Sequence, residues 1–284
     1  MNNPVPLIEL IQQRLERGDV ELPVFDGVAM EVHRETHENR LDADGLCQIL
    51  EKDATLVTEV LRMANSSFFS GFGEVRSLRE AAVRLGVRQI AAIVFSISQK
   101  RLYSASGELF RPRLVTLWQH ASAVSTGARW TAIRAGYRAL ADEAFVAGLL
   151  HDVGKLSLLR IIEILIKEDN LEINDVLVDM TLGNLHCSHA ADLLAGWNLP
   201  ESYRDVVKRL EDDVIGESDV VLATVRFVDK VCAVEGISDC PDPTLALETL
   251  PELAILGLNE IDVAELRLVI EDINGESGGQ QQAA

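Results

Sequence analysis

Aromatic side chains are scarce in this chain. Three Trp, three Tyr and eight Phe make up 5% of 284 residues, too few for an ordinary β-sandwich or barrel, which draws heavily on aromatic and β-branched residues. Cysteine is scarce as well. Cys47, Cys187, Cys232 and Cys240 are the whole complement and none forms a CxxC pair. That excludes a disulfide framework and sets the expectation of a reduced, cytoplasmic protein. No apolar run reaches the roughly 18 residues of a membrane span. Met1 to Gly18 carries charges and no apolar core, so no signal peptide is expected there. Positive charge is the last shortage. The 26 Lys and Arg stand against 45 Asp and Glu, for a formal charge of −19, a balance that disfavours nonspecific binding to nucleic acid or an anionic membrane.

What remains is a helical pattern. Hydrophobic residues make up 48% of the chain, enough for a sizeable core, and their spacing is predominantly that of helices. Leu56, Val57, Val60, Leu61 and Ala64 recur at helical intervals behind Asp53, a good N-cap. Ser77 with Glu80 forms a capping box, and Gly86 is a natural stop. Further helices are predicted over 87–100, 117–135, 141–165, 188–197, 201–210 and 218–234, with Pro200 and Pro241 marking breaks. No useful alternating strand or repeat is found. The organisation expected is an all-α chain with an N-terminal lobe (1–103), a connection at 104–112 and a second lobe (113–234). A closing helical segment (235–274) and a low-complexity, disordered tail (275–284) follow.

The stretch that carries chemistry is Ala-Phe-Val-Ala-Gly-Leu-Leu-His-Asp-Val-Gly-Lys, residues 144–155. It is apolar except for His151, Asp152 and Lys155, so the polar group falls where the fold would bury it. A buried carboxylate needs a partner, and a divalent metal is one. Lys155 falls one turn after His151 and can point the same way. Gly154 within a helix implies a close packing contact. His120, and Asp229 in an otherwise apolar helix, supply further donors. Two imidazoles and two carboxylates suit iron, manganese or nickel, with positions left for water, and such an ion brings water to nucleophilicity near neutral pH.

Each feature also has a plainer explanation. His151 and Asp152 can close a hydrogen-bonded network, and His120 can be structural. Asp229 can pair with Arg226 or Lys230. His186 and His189 can cap a helix or face solvent, Lys155 can sit on a solvated face, and Cys187 can be simple packing. A basic stretch from Arg76 to Arg101, with Glu80 its one acid, could mimic a helix-turn-helix. The chain's net charge favours instead a face that docks the acidic remainder or a partner.

The pattern His120…His151-Asp152…Asp229, within Leu-Leu-His-Asp-Val-Gly-Lys, resembles the HD superfamily of metal-dependent phosphohydrolases. Leu22-Pro23-Val24, Val28-Ala29, Asp53-Ala54, Met63-Ala64-Asn65-Ser66, Ser77 to Ala81 and Leu85-Gly86 resemble the HDOD domain, over roughly Leu22 to Leu210. The resemblance implies a two-lobed helical fold with an HD-like second lobe, and a regulatory output module of bacterial signalling with a protein partner. The alternative it implies is a phosphohydrolase acting on a nucleotide or cyclic nucleotide, with Asp152 and Lys155 in catalytic roles. Lys155 matches the HD-x-G-K form of the cyclic-di-GMP phosphodiesterase subgroup, and His189 matches a further His there that serves a second metal. That subgroup's Gly-Tyr-Pro triplet is absent, and Lys208-Arg209-Leu210 stand where it has a His-His pair.

Overall fold

The computed structural model describes residues 7–17, 23–65, 74–105 and 107–279, the side chains of 105 and 274–279 excepted. Leu22 and Ser66, both part of the family pattern, lie outside these residues. Fourteen α-helices follow one another, and no strand occurs among the described residues. They are α1 (Leu7–Arg17), α2 (Gly27–His37), α3 (Ala43–Leu50), α4 (Ala54–Ala64), α5 (Leu78–Leu85), α6 (Val87–Ala105) and α7 (Arg111–Arg134), then α8 (Ala141–Leu150), α9 (Val153–Asp169), α10 (Asp175–Gly196), α11 (Glu201–Lys208), α12 (Val220–Val234), α13 (Pro251–Leu256) and α14 (Glu260–Gly279). The chain divides into two compact units. One comprises Val24–Leu102, and the other joins Met1–Pro23 to Tyr103–Ala284.

The smaller unit is built from locally encoded helices. The Asp53 carboxylate accepts from the Leu56 amide at 2.9 Å and starts α4. Ser77 accepts from the Glu80 amide at 3.2 Å and starts α5. The Glu80 carboxylate reaches back to the Arg76 amide, one residue before the cap. Gly86, with φ of 90°, ends α5 in a conformation that side chains resist. Asn65, just past α4, bonds both backbone groups of Val75 at 2.8 Å. It thereby fastens the end of α4 to the segment entering α5. Phe25 stacks on Phe95 with ring centroids 4.4 Å apart, beside the buried His33.

The larger unit differs from the sequence expectation in ways that bear on the site. α7 begins at Arg111, with Pro112 in its first turn, so His120 stands inside the helix rather than at its start. Pro there continues the helix, because the first turn has no use for its missing N–H. The single helix expected over 141–165 is two, α8 and α9, broken at His151 and Asp152. α10 starts at Asp175, where Asn174 caps it through the Leu177 amide. The bounds of α14 reach Gly279, so residues 275–279 continue a helix where disorder was expected, and 280–284 lie outside the described residues.

No single helix among the described residues is long and apolar enough to cross a membrane. α5 and α6 meet the length and composition together, but are bent by 117° between them.

Candidate metal centre

Two glycines set the helices around the His151-Asp152 break. A Cβ on Gly148 would stand 3.0 Å from the Ser125 Cα, so α8 lies against the backbone of α7. A Cβ on Gly154 would meet the His186 carbonyl oxygen at 2.1 Å, so α9 lies against the backbone of α10. The close contact expected at Gly154 is there. Asp152 occupies the N-cap position of α9, but its carboxylate makes no cap hydrogen bond. A capping Asp ordinarily accepts from the first-turn amides; here the carboxylate is turned into the site.

His120 and His151 are both nearly inaccessible, and their Nε2 atoms are 3.0 Å apart. His120 Nδ1 bonds the Ile237 carbonyl at 2.7 Å, and His151 Nδ1 bonds the Gly148 carbonyl at 2.7 Å. A carbonyl only accepts, so each Nδ1 carries the hydrogen and each Nε2 offers a lone pair. Around these two lone pairs stand Asp229 Oδ1, 3.0 Å from His120 Nε2 and 3.9 Å from His151 Nε2, and Asp152 Oδ2 at 3.6 and 3.5 Å. Three of these acceptors, on His120, His151 and Asp229, lie within 4.8 Å of one another, and Asp152 Oδ2 lies beside both imidazoles. Without an ion, one proton must serve both imidazoles. Burial lowers both rings' pKa; for His120 the hydrogen bonds to Asp229 and Cys232, then the charges of Asp229 and Asp152, outweigh it and raise the value well above the usual 6.5, while His151 stays below.

Lys155 lies 2.8 Å from Asp152 Oδ2 and 3.0 Å from Asp239 Oδ1. It is not on a solvated face; its side chain is 14% exposed. Burial opposes charge on both Asp152 and Lys155, but their mutual attraction holds the carboxyl far below, and the ammonium far above, their usual ranges. Asp152, Asp229 and Asp239 against Lys155 leave two negative charges when the imidazoles are neutral, which a divalent cation balances.

Asp229 does not pair with its helix neighbours. Arg226 and Lys230 both turn to Glu252 Oε1, at 3.0 and 2.6 Å. Glu252 is wholly buried. That removes the plain ion-pair reading, and Asp229 faces His120 instead. Asp229 faces the buried His120, yet its side chain is 41% open to water. Burial pushes its pKa up, but the His120 hydrogen bond brings it below the usual range.

His120, His151 and Asp229 thus offer three ligand atoms within 4.8 Å of one another, with Asp152 beside them. The donors fit a divalent ion: neutral imidazoles whose Nδ1–H is anchored on a carbonyl are the usual metal-ligand arrangement, and mixed N/O donors suit iron, manganese or nickel. His189 is not brought to this group; its Nε2 is 2.9 Å from Ser157 Oγ. Its helical neighbour His186 is the one that turns toward Asp152, with Nε2 3.9 Å from Oδ1. Residues i and i+3 share a helix face, and only the crossing at Gly154 decides which reaches the centre. Asp239, Glu252 and Glu211 escaped the sequence reading. They lie far along the chain, in a turn or on a helix end, and no local pattern marks them.

A family model for the HDOD domain matches residues 22–212. The chain belongs to the HDOD family. Its fold is shared with an HDOD domain protein of unknown function from Geobacter sulfurreducens, at a TM-score of 0.77 and 24% identity over 95% of this chain and 96% of that one. A protein from Shewanella amazonensis SB2B, provisionally described as a metal-dependent phosphohydrolase, matches at 0.74 and 18% identity over 95% and 97%. An uncharacterized protein of Treponema pallidum (strain Nichols) is 23% identical over 66% of this chain, which spans only 37% of that relative's length.

Proposed function

We propose that this protein is a cytoplasmic regulatory output module of bacterial signal transduction that holds a divalent metal ion at its HD-type centre. His120, His151 and Asp229 would hold the ion, with Asp152 at its side. The observation that carries this reading is the pair of Nε2 lone pairs 3.0 Å apart, each ring fixed through Nδ1. When bound, the ion supplies Lewis acidity and cross-links α7, the α8–α9 junction and α12. Lys155 supports the module reading over an enzyme: its ammonium is already engaged by Asp152 and Asp239, so it is spent on neutralising carboxylates. A protein partner would read the output, and a nucleotide could set it.

The second reading is a phosphohydrolase acting on a nucleotide or cyclic nucleotide. The solvent-open side chain of Asp229 favours it, as does the description of the Shewanella protein. In this reading Asp152 positions the ion and Lys155 leaves Asp239 to steady a phosphate oxygen. Metal analysis of protein purified without added metal, followed by a phosphodiesterase and phosphatase panel, separates the two. Bound metal without turnover is expected. Turnover abolished in Asp152→Ala would overturn the module reading, and absence of metal would overturn both.

A further inference from the structure

Asp152 points its two oxygens in different directions. Oδ2 faces His120, His151 and Lys155. Oδ1 faces His186, on the other side of the α9–α10 crossing. There His186 Nε2 lies 3.3 Å from Cys187 Sγ and 3.8 Å from Glu211 Oε1. One ligand atom from each of these three residues falls within 4.8 Å of the others.

The His186 ring is prepared in the same way as the other two. Its Nδ1 bonds the Leu182 carbonyl at 2.9 Å, one turn back in α10, so Nδ1 carries the hydrogen. Nε2 offers its lone pair toward Cys187, Glu211 and Asp152. The side chain is 8% exposed. Without an ion, the Cys187 thiol donates its hydrogen to this lone pair. Burial, followed by the charges of Glu211 and Asp152, pushes the thiol up to about 12, so it is protonated at neutral pH. A second cation would replace that hydrogen: the S–H bond breaks, the sulfur–metal bond forms, and the proton leaves to water.

We propose that His186, Cys187 and Glu211 form a second cation site, sharing Asp152 with the first and selecting a thiophilic divalent ion such as zinc, cobalt(II) or iron(II). The thiolate sets the selectivity, since sulfur donors favour these ions over magnesium, calcium and manganese. His186 and Cys187 are consecutive in α10, and the Gly154 crossing brings them to Asp152. Glu211, 66% exposed, closes the site from just beyond α11. This inference rests on the HD-type centre being a metal site, because Asp152 serves both.

The test is anaerobic titration of the metal-free, full-length protein with cobalt(II) chloride, reading stoichiometry and the near-ultraviolet thiolate-to-cobalt charge-transfer band. Wild type is expected to take two equivalents, with the band carried by one of them. Cys187→Ser should lose the band and keep one equivalent. Glu211→Gln, at an exposed position that cannot endanger the fold, should keep the band but weaken that equivalent about tenfold. His151→Ala should lose the other equivalent and retain the band. One bound equivalent without a band overturns the second site and leaves the first standing. A band that survives in Cys187→Ser, for instance through Cys232, overturns it as well. No cobalt binding overturns both.

Discussion

His120 and His151 confront each other through Nε2 at 3.0 Å while each ring is held by a carbonyl from behind. Neither can rotate away without giving up a buried hydrogen bond. The pair therefore has two stable conditions, one with a shared proton and one with a shared cation.

Chelation should accordingly destabilise the protein. An ion present at a hundredfold its dissociation constant stabilises the folded state by about 2.7 kcal/mol, which for a chain of this size is roughly 4–5 °C in Tm. The expected result is a fall of that order in the thermal midpoint on adding excess chelator, restored by manganese or iron(II). His151→Ala should show no response to the chelator. An equal fall in wild type and His151→Ala would locate the effect elsewhere.

Glu252 keeps two cations off Asp229. Glu252→Gln leaves Arg226 and Lys230 without their carboxylate, which should cost about 3 kcal/mol, the lower end for a buried pair because Lys230 keeps some solvent contact. The released cations then compete with the metal for Asp229, and metal affinity falls. Calorimetric titration of the single variant, and of Glu252→Gln combined with Arg226→Gln and Lys230→Gln, checks the cause. Affinity should return in the triple variant while stability does not. Loss of affinity that persists in the triple variant would mean that Glu252 only supports the fold.

Gly154→Ala should be costly out of proportion to one methyl group. Its Cβ would sit 2.1 Å from a backbone oxygen of α10, so two helices must move apart, at about 1–3 kcal/mol or more. Gly183→Ala is the matched control in the same helix pair, since nothing lies within 4 Å of its Cβ position. It should be neutral or stabilising by up to about 1 kcal/mol. Urea unfolding of the two variants measures the difference directly.

The smaller unit carries its own pH dependence. Burial, with a lesser contribution from His37, lowers the His33 pKa from 6.5 to about 4. Between those values the unfolded chain binds a proton that the folded chain refuses. The His33 contribution is intact above pH 6.5, falls as pH drops toward 4, and is flat below. The full loss is about 3 kcal/mol. His33→Phe, which keeps a ring against Phe95, should lose less stability than wild type between pH 7 and 4.5 in urea titrations. Parallel curves would exclude His33 as the source.

The features legible in the sequence were those set by near neighbours. The caps at Asp53 and Ser77 and the stop at Gly86 each depend on a few adjacent residues, and the structure has them as read. α1, α2 and α3 were not read, because their apolar stripes are short. The break at His151-Asp152 carries neither Pro nor a stop Gly; it arises because α8 and α9 pack on different helices, at Gly148 and Gly154. His120, His151 and Asp229 could be picked out as polar residues in apolar helices, and the fold brings them together. The choice of His186 over His189, the capture of Arg226 and Lys230 by Glu252, and the arrival of Asp239 at Lys155 depend on which helices cross, and where.

The three residues that converge on the first ion come from α7, the α8–α9 junction and α12. α12 is synthesised long after the other two. A nascent chain that ends before Val220 carries His120 and His151 but has neither Asp229 nor the Ile237 carbonyl that fixes the His120 ring. Any ion so held is therefore loaded late, once the chain has returned on itself, and its retention reports that the larger unit has finished assembling.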